Sequence, residues 1–293
     1  MPELPEVETV RRGLAELIIG KSVASVAVHD SPKSFPNDNA TVEQFLVGAH
    51  ITAIRRRAKV LLIDISTNYS LVIHLKMTGQ LVYRDKAVRF GAGHPNDSLI
   101  GELPDRSTRV SIVFSDGSTL FFNDQRKFGW VMLYPTLEVP NIDFMKKVGP
   151  EPLEDSFTAA EFIPRIRRRN NTTIKAAILD QTVLAGVGNI YADESLWGAR
   201  LHPATRVKEV SDGQLVVLLN EIKYVMNLSI EKGGSTDKNY VNAEGKRGSY
   251  IDFARVFRQE GKACPRHPDV IIEKTRVAGR GTHSCPACQI LTN

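Results

Sequence analysis

Near the start of the chain, apolar residues recur at helical spacing: Val7, Val10, Leu14 and Leu17 lie three or four positions apart, with charged residues between them. This spacing predicts an amphipathic helix opening at MPELPEV, where Pro5 suits a first turn and Glu3, Glu6 and Glu8 sit at the positive end of the helix dipole. From there to about Tyr134 the period shortens. The runs 22–30, 50–66, 69–85, 108–124 and 130–135 are β-branched and divided by turn signals such as Thr78-Gly79 and Asp116-Gly117. Strands at this spacing, with no helices between them, predict a β-sandwich or barrel. Residues 87–107 predict a loop insertion. Beyond Pro150 the pattern turns helical over 158–169, 173–179, 189–200 and 211–232, with Gly186 and Gly188 breaking the chain between two of these. VGPEPLED has linker composition. The expected organisation is an α+β multidomain chain: a sheet domain over 1–136, a linker over 137–150, a helical domain over 151–247 and a small unit over 248–293.

A chain of 293 residues can bury two cores, and 42% hydrophobic residues exclude a disordered protein. The 38 Lys and Arg exceed the 33 Asp and Glu, for a net charge of +5. That balance alone is a weak pointer to a polyanionic partner. Its distribution says more: Arg55, Arg56, Arg57 and Lys59 cluster, as do Arg165, Arg167, Arg168 and Arg169, although such runs also serve as solvated faces. The N-terminal stretch lacks the apolar core of a signal peptide, and no apolar run nears the roughly 20 residues that cross a bilayer. Three cysteines, all close to the C-terminus, argue against a disulfide framework and for a reducing compartment. A soluble, cytoplasmic protein is expected.

Two features carry chemistry. Cys264 and His267 are separated by two residues, and Cys285 and Cys288 repeat the spacing after a gap of zinc-ribbon size. Two such knuckles on a hairpin close a tetrahedral site, which predicts one structural Zn²⁺ on a unit too poor in apolar residues to fold alone. His283 is the alternative fourth ligand. The second feature is Pro2: once Met1 is removed, proline is a secondary amine titrating near ~8, neutral often enough to attack an electrophilic carbon, with Glu3 beside it as a general acid. The same opening is also ordinary helix-start chemistry.

The segments PELPEVETVRRGL, RRRAKVLL, HLKMTGQL, NDQRKFGW, GVGNIYADESL, GGSTDKNY and GRGTHSCPACQ, in that order over nearly the whole length, resemble the bacterial formamidopyrimidine-DNA glycosylases. The resemblance implies an N-terminal β-sandwich with its helix, a helix-two-turn-helix domain and a C-terminal zinc-finger β-hairpin. It also implies a monomer that binds damaged double-stranded DNA with no nucleotide cofactor and no membrane, in the bacterial cytoplasm at the nucleoid. The implied reaction removes oxidised purines through a Schiff base on Pro2, followed by β,δ-elimination. Glu3 is then the proton donor, and Glu6 helps to place the helix. Lys59 and Arg280 contact phosphate at the lesion and count with Pro2 and Glu3 among the catalytic residues, Lys59 assisting the reaction; Lys59 lies just before an apolar strand, where alternation would point it to one face. Asn189 caps a helix and contacts phosphate, Lys127 meets phosphate, and Tyr191 packs. Met77, Arg126 and Phe128 fill the gap left by the extruded nucleotide, whereas taken as single residues Met77 and Phe128 read as core. Ser235, Thr236 and Tyr240 belong to a loop that encloses the extruded base. In this chain Arg106-Ser107-Thr108-Arg109-Val110 replaces a histidine-bearing family motif, with Arg109 as phosphate donor. The alternatives are an endonuclease VIII-like glycosylase for oxidised pyrimidines and a catalytically silent, lesion-binding zinc protein.

Overall fold

The computed structural model describes residues 2–94, 96–235 and 250–291. It has two compact units. The first runs to Lys146 and includes residues 232–235; the second comprises Lys147–Glu231 and the chain from Tyr250 onward.

The first unit opens with helix α1 (Leu4–Ile18) and carries the short α2 (Asn39–Phe45), and α3 (Asp143–Lys147) lies where the first unit gives way to the second. Its buried stripe, Leu4, Val7, Val10, Leu14 and Ile18, follows the expected spacing closely. Two antiparallel sheets follow. One has the order β1-β7-β8-β5-β6: β1 (Val23–Val28), β7 (Thr108–Phe114), β8 (Thr119–Asp124), β5 (Gly79–Arg84) and β6 (Arg89–Gly93). The other has the order β2-β3-β4-β9: β2 (Ile51–Arg57), β3 (Val60–Ile65), β4 (Tyr69–His74) and β9 (Trp130–Pro135). Inward residues of both sheets, among them Leu61, Ile63, Leu71, Ile73, Leu81, Val110, Ile112, Leu120 and Phe122, join the apolar face of α1 in one core. Alternation along each strand makes this a sandwich.

The reading of 87–107 as a loop insertion is corrected. Residues 89–93 form β6, paired with β5 through Tyr83↔Phe90 and Val82↔Gly91. RFGAG gives almost no strand signal, because its single large apolar residue stands among glycines. That residue, Phe90, is buried at α1, where a Cβ on Gly13 would come within 2.4 Å of its ring. Further along, Leu99 and Leu103 cover Val82 and Phe121 on the outer face of the same sheet.

The second unit contains α4 (Ala159–Arg167), α5 (Ile174–Leu179), α6 (Asn189–Gly198), α7 (Asp212–Glu231) and the short α8 (Tyr250–Phe253), and ends in the hairpin β10 (Glu273–Val277) and β11 (Arg280–Ser284). All four helices read from the sequence are present, each slightly shorter. Tyr191 is fully buried; its hydroxyl lies 2.6 Å from Ser229 Oγ and its ring packs on Tyr250, as expected for a packing residue. No described helix is long and apolar enough to cross a membrane.

Candidate active site and nucleic-acid interface

Pro2 and Glu3 are buried immediately ahead of the first turn of α1. Glu3 is the N-cap, and a reciprocal capping box fixes it: its backbone N–H donates to Glu6 Oε2 at 2.8 Å while its side chain accepts from the backbone of Glu6. The other oxygen of Glu6 accepts from the Ser235 backbone N–H at 2.9 Å and from the Ser235 hydroxyl at 2.6 Å. One carboxylate therefore ties the proposed acid to the start of the proposed base-enclosing loop. The sequence had given Glu6 only the first of these tasks, since a contact 229 positions away leaves no local signal. Thr236 and Tyr240 lie outside the described residues.

Lys59 is buried in the two-residue turn that joins Arg57 to Val60 across the β2–β3 ladder, with Ala58 at φ +54°. The turn orients Lys59, not the strand alternation expected of it. Val60 pairs with His74, whose ring is buried against Trp130 and Phe144. Burial pushes the His74 imidazole down to about 3, helped by the positive charges of Lys76 and Lys59. Its Nδ1 accepts from the Lys76 backbone N–H at 3.0 Å, which a neutral ring can do. Between about pH 6.5 and 3 the unfolded chain binds a proton that the folded one refuses, so this contribution to stability is lost as pH falls. The urea midpoint followed by tryptophan fluorescence is expected to drop through that window, by up to about 1.4 kcal/mol of unfolding free energy per pH unit, and less steeply in His74→Gln.

The loop 75–78 crosses from β4 in one sheet to β5 in the other, and the loop 125–129 crosses back from β8 to β9. Side by side, they present Met77, Arg126 and Phe128. The Arg126 guanidinium lies 4.9 Å from the centre of the Phe128 ring and its Nη1 is 3.1 Å from Met77 Sδ. Met77 is 41% exposed and Phe128 53% exposed, so the core reading of these two residues is overturned. The two large apolar side chains are thus held on the surface with Arg126 in contact with both. Lys127 is exposed at φ +57° and pairs with Asp30 at 3.0 Å, holding that carboxyl below its ordinary value together with Arg109.

Arg109 does not offer a free cation. Only 2% exposed, it donates from Nε to Asp124 O at 2.8 Å and from Nη2 to Arg106 O at 3.0 Å, and its Nη1 pairs with Asp30. Its role as a phosphate donor is corrected to that of a strut: its donors serve the protein's own oxygens, and its side chain lies out of reach of an external anion.

In the second unit, the hairpin turn Ala278-Gly279 has φ of +49° and +73°, the backbone that a two-residue turn with right-handed strand twist requires. It leaves Arg280 exposed at the start of β11. Asn189 is the first residue of α6, while Gly188 takes the N-cap position. The expected capping by Asn189 is therefore corrected: its Nδ2 donates instead to Gly281 O at 3.0 Å, placing it beside Arg280.

The hairpin is held by polar residues that sequence reasoning passed over. Lys175, fully buried, donates to Asp193 at 2.6 Å, Thr282 Oγ1 at 2.7 Å and Gly281 O at 3.1 Å. Asp193 also accepts from the His283 backbone N–H at 2.9 Å, and His283 Nδ1 lies 3.0 Å from it. The neighbouring Glu194, also buried, accepts from the backbone N–H groups of Arg255, Val256 and Phe257. Adjacent acids on α6 thus grip the hairpin and the strand of chain leading into it. Only the pairing of two charged residues with an otherwise buried helix hinted at this.

Cys264, His267, Cys285 and Cys288 bring one ligand atom each within 4.8 Å of one another. Cys264 Sγ and Cys288 Sγ are 3.6 Å apart, near the ~3.8 Å edge of a tetrahedron with metal–sulfur bonds of ~2.3 Å. His283 is turned to Asp193, and His267 is the histidine that lies in the cluster. Burial and the adjacent sulfurs push the Cys288 thiol up, while hydrogen bonds, first among them the Arg266 backbone N–H, outweigh burial and hold Cys264 down; thiolates at all three cysteines would need a cation among them. The donor set fits a closed metal site.

Comparison with known proteins agrees with this architecture. Residues 1–131 match the model of the formamidopyrimidine-DNA glycosylase N-terminal domain, and residues 148–240 match that of the formamidopyrimidine-DNA glycosylase H2TH domain. The chain is 40% identical over 291 residues to a formamidopyrimidine-DNA glycosylase of Pediococcus pentosaceus, covering 99% of this chain and 100% of the relative. It is 38% identical to that of Chloroflexus aggregans, with 99% of each covered. Among solved structures, it is similar to a Lactococcus lactis enzyme variant in complex with a Fapy-dG containing DNA, with a TM-score of 0.86, 32% identity and coverage of 99% of this chain and 100% of that one. It is also similar to MutM in complex with carbocyclic 8-oxo-G containing DNA, with a TM-score of 0.84 at the same identity and coverage.

Proposed function

The chain belongs to the formamidopyrimidine-DNA glycosylase family and is a DNA glycosylase of base excision repair, and from that premise we propose that it removes oxidised purines, 8-oxoguanine and formamidopyrimidines, and then cuts the strand. The Pro2 nitrogen, freed of Met1, attacks C1′ of the damaged nucleotide as the bond to the base breaks. Glu3, fixed by the capping box, protonates the opening sugar ring at its oxygen. The resulting iminium draws electrons from the sugar and acidifies the C2′ proton, so β-elimination expels the 3′ phosphate and δ-elimination the 5′ phosphate. Lys59, Lys127, Asn189 and Arg280 serve the DNA backbone, and Ser235, Thr236 and Tyr240 enclose the extruded base. The observation that carries this reading is the exposed cluster of Met77, Arg126 and Phe128 on the unit that also holds Pro2 and Glu3. An enzyme that pulls a nucleotide from the stack needs a wedge to fill the gap, and folding alone gives no reason to expose Met77 and Phe128 together.

The site of Cys264, His267, Cys285 and Cys288 holds one structural Zn²⁺, which closes the unit bearing Arg280. Chelation is expected to weaken binding to an abasic-site duplex by at least about tenfold, and one equivalent of Zn²⁺ per chain to restore it, read by fluorescence anisotropy. Unchanged affinity in the metal-free protein would remove the finger from the interface. The domain limits 1–136, 151–247 and 248–293, a monomeric state and a cytoplasmic, nucleoid location complete the proposal.

The function itself is tested by product analysis on end-labelled duplexes carrying 8-oxoguanine or thymine glycol. Preferential cutting at 8-oxoguanine, leaving phosphate on both sides of a one-nucleotide gap, is expected. Preference for thymine glycol would transfer the chain to the endonuclease VIII-like reading.

A further inference from the structure

We propose that Thr78 and Asp124 form a buried clamp that sets the two crossover loops in register, and that this clamp, as a pair of positioning residues, governs insertion of Met77, Arg126 and Phe128 into the DNA stack. The inference rests on the reading of those three side chains as the wedge. Asp124 ends β8 and pairs with Gly79, the first residue of β5, so the ladder delivers Thr78 to its side. Asp124 is fully buried and Thr78 nearly so. The Thr78 hydroxyl donates to Asp124 Oδ1 and accepts from the Arg126 backbone N–H at 3.0 Å. The same carboxylate oxygen lies 3.2 Å from the Arg126 N–H, and Oδ2 accepts from the Gly129 N–H at 2.6 Å.

The consequence is mechanical. Asp124 holds both ends of the loop 126–129, and the Thr78 hydroxyl fastens that loop to the residue following Met77. The wedge side chains are exposed, and Arg126 touches both Met77 and Phe128, so their mutual position depends on the backbone beneath them. Arg109 extends the brace: its Nε donates to the Asp124 carbonyl at 2.8 Å and its Nη1 pairs with Asp30, the partner of Lys127. A wedge that must enter a base stack needs its three members displaced together, and a shift of one loop by about 1 Å is costly in a step that depends on positioning.

Thr78→Val keeps the side-chain shape and leaves the Asp124 bonds to Arg126 and Gly129 in place; Thr78→Ser restores the hydroxyl. Single-turnover excision from a duplex with 8-oxoguanine opposite cytosine should fall on the order of tenfold in Thr78→Val and recover in Thr78→Ser. The fluorescence change of 2-aminopurine beside the lesion should fall in parallel. Cleavage at a preformed abasic site, which has no base to extract, should change by less than about threefold. Phe128→Ala, measured alongside, separates the two claims. If it leaves both signals at the parent level, the wedge reading fails and the clamp with it. If it loses both while Thr78→Val keeps them, the wedge stands and the clamp is wrong. Equal losses of Thr78→Val on both substrates, with a lowered unfolding midpoint, would reduce the pair to a fold contact and overturn the proposal.

Discussion

A chain extended by one uncleaved residue ahead of Pro2 is expected to lose strand cleavage at 8-oxoguanine by on the order of 10³-fold or more, while binding of an abasic-site duplex changes only a few-fold. The extension turns the proline nitrogen into a tertiary amide, whose lone pair is delocalised into the carbonyl and cannot attack C1′. Little else changes. Glu3 stays in its capping box with Glu6, and Arg280 and Lys127, the cations proposed to meet phosphate, are remote from the N-terminus in sequence. Binding should retain its fall with salt, since that slope counts neutralised phosphates and not the nucleophile. Gel analysis of cleavage and anisotropy of binding on one preparation check both halves. Cleavage at the parent rate would exclude the N-terminal amine.

Asp193→Ala is expected to destabilise the second unit by about 3–5 kcal/mol, the effect of removing one partner of a buried ion pair. Lys175 and Asp193 are both fully excluded from solvent, so the truncation leaves a buried ammonium without its carboxylate. It also strips the acceptor from the His283 N–H. The hairpin that presents Arg280 is therefore the part expected to loosen first, followed by the metal site beside it. Urea unfolding monitored by the fluorescence of Trp197, which packs with the cysteine cluster, measures the loss. Adding Lys175→Met to Asp193→Ala should recover part of it, because the orphaned charge is then gone. A single variant within about 0.5 kcal/mol of the parent would show that this pair does not hold the hairpin.

Most of the fold was legible because its elements announce themselves locally. The 3.6-residue period of α1 and the β-branched runs of the sandwich carry their own burial pattern, and the knuckle spacing of Cys264, His267, Cys285 and Cys288 needs no tertiary information. Strand β6 escaped because RFGAG takes its place in the sheet through pairing with β5 and a single buried ring, not through propensity. Residue types gave the chemistry of the site but not always its orientation. Lys59 is aimed by a turn, Asn189 sits one place inside its helix, and Arg109 is drawn inward by Asp124 and Asp30. Met77 and Phe128 look like core residues in isolation; only two loops crossing side by side put them on the surface with Arg126 between. Least legible were contacts between distant positions, such as Glu6 with Ser235 and Lys175 with Thr282, for which a single sequence has no periodicity to read.

The most direct test is borohydride trapping on duplexes carrying 8-oxoguanine opposite cytosine and, in parallel, thymine glycol, with mass spectrometry of the cross-linked peptide. A reduced adduct on the Pro2 nitrogen, formed preferentially with 8-oxoguanine, is the predicted result and joins nucleophile, Schiff base and substrate class in one observation. An adduct on a lysine, or no adduct despite tight binding and a processed N-terminus, would contradict it.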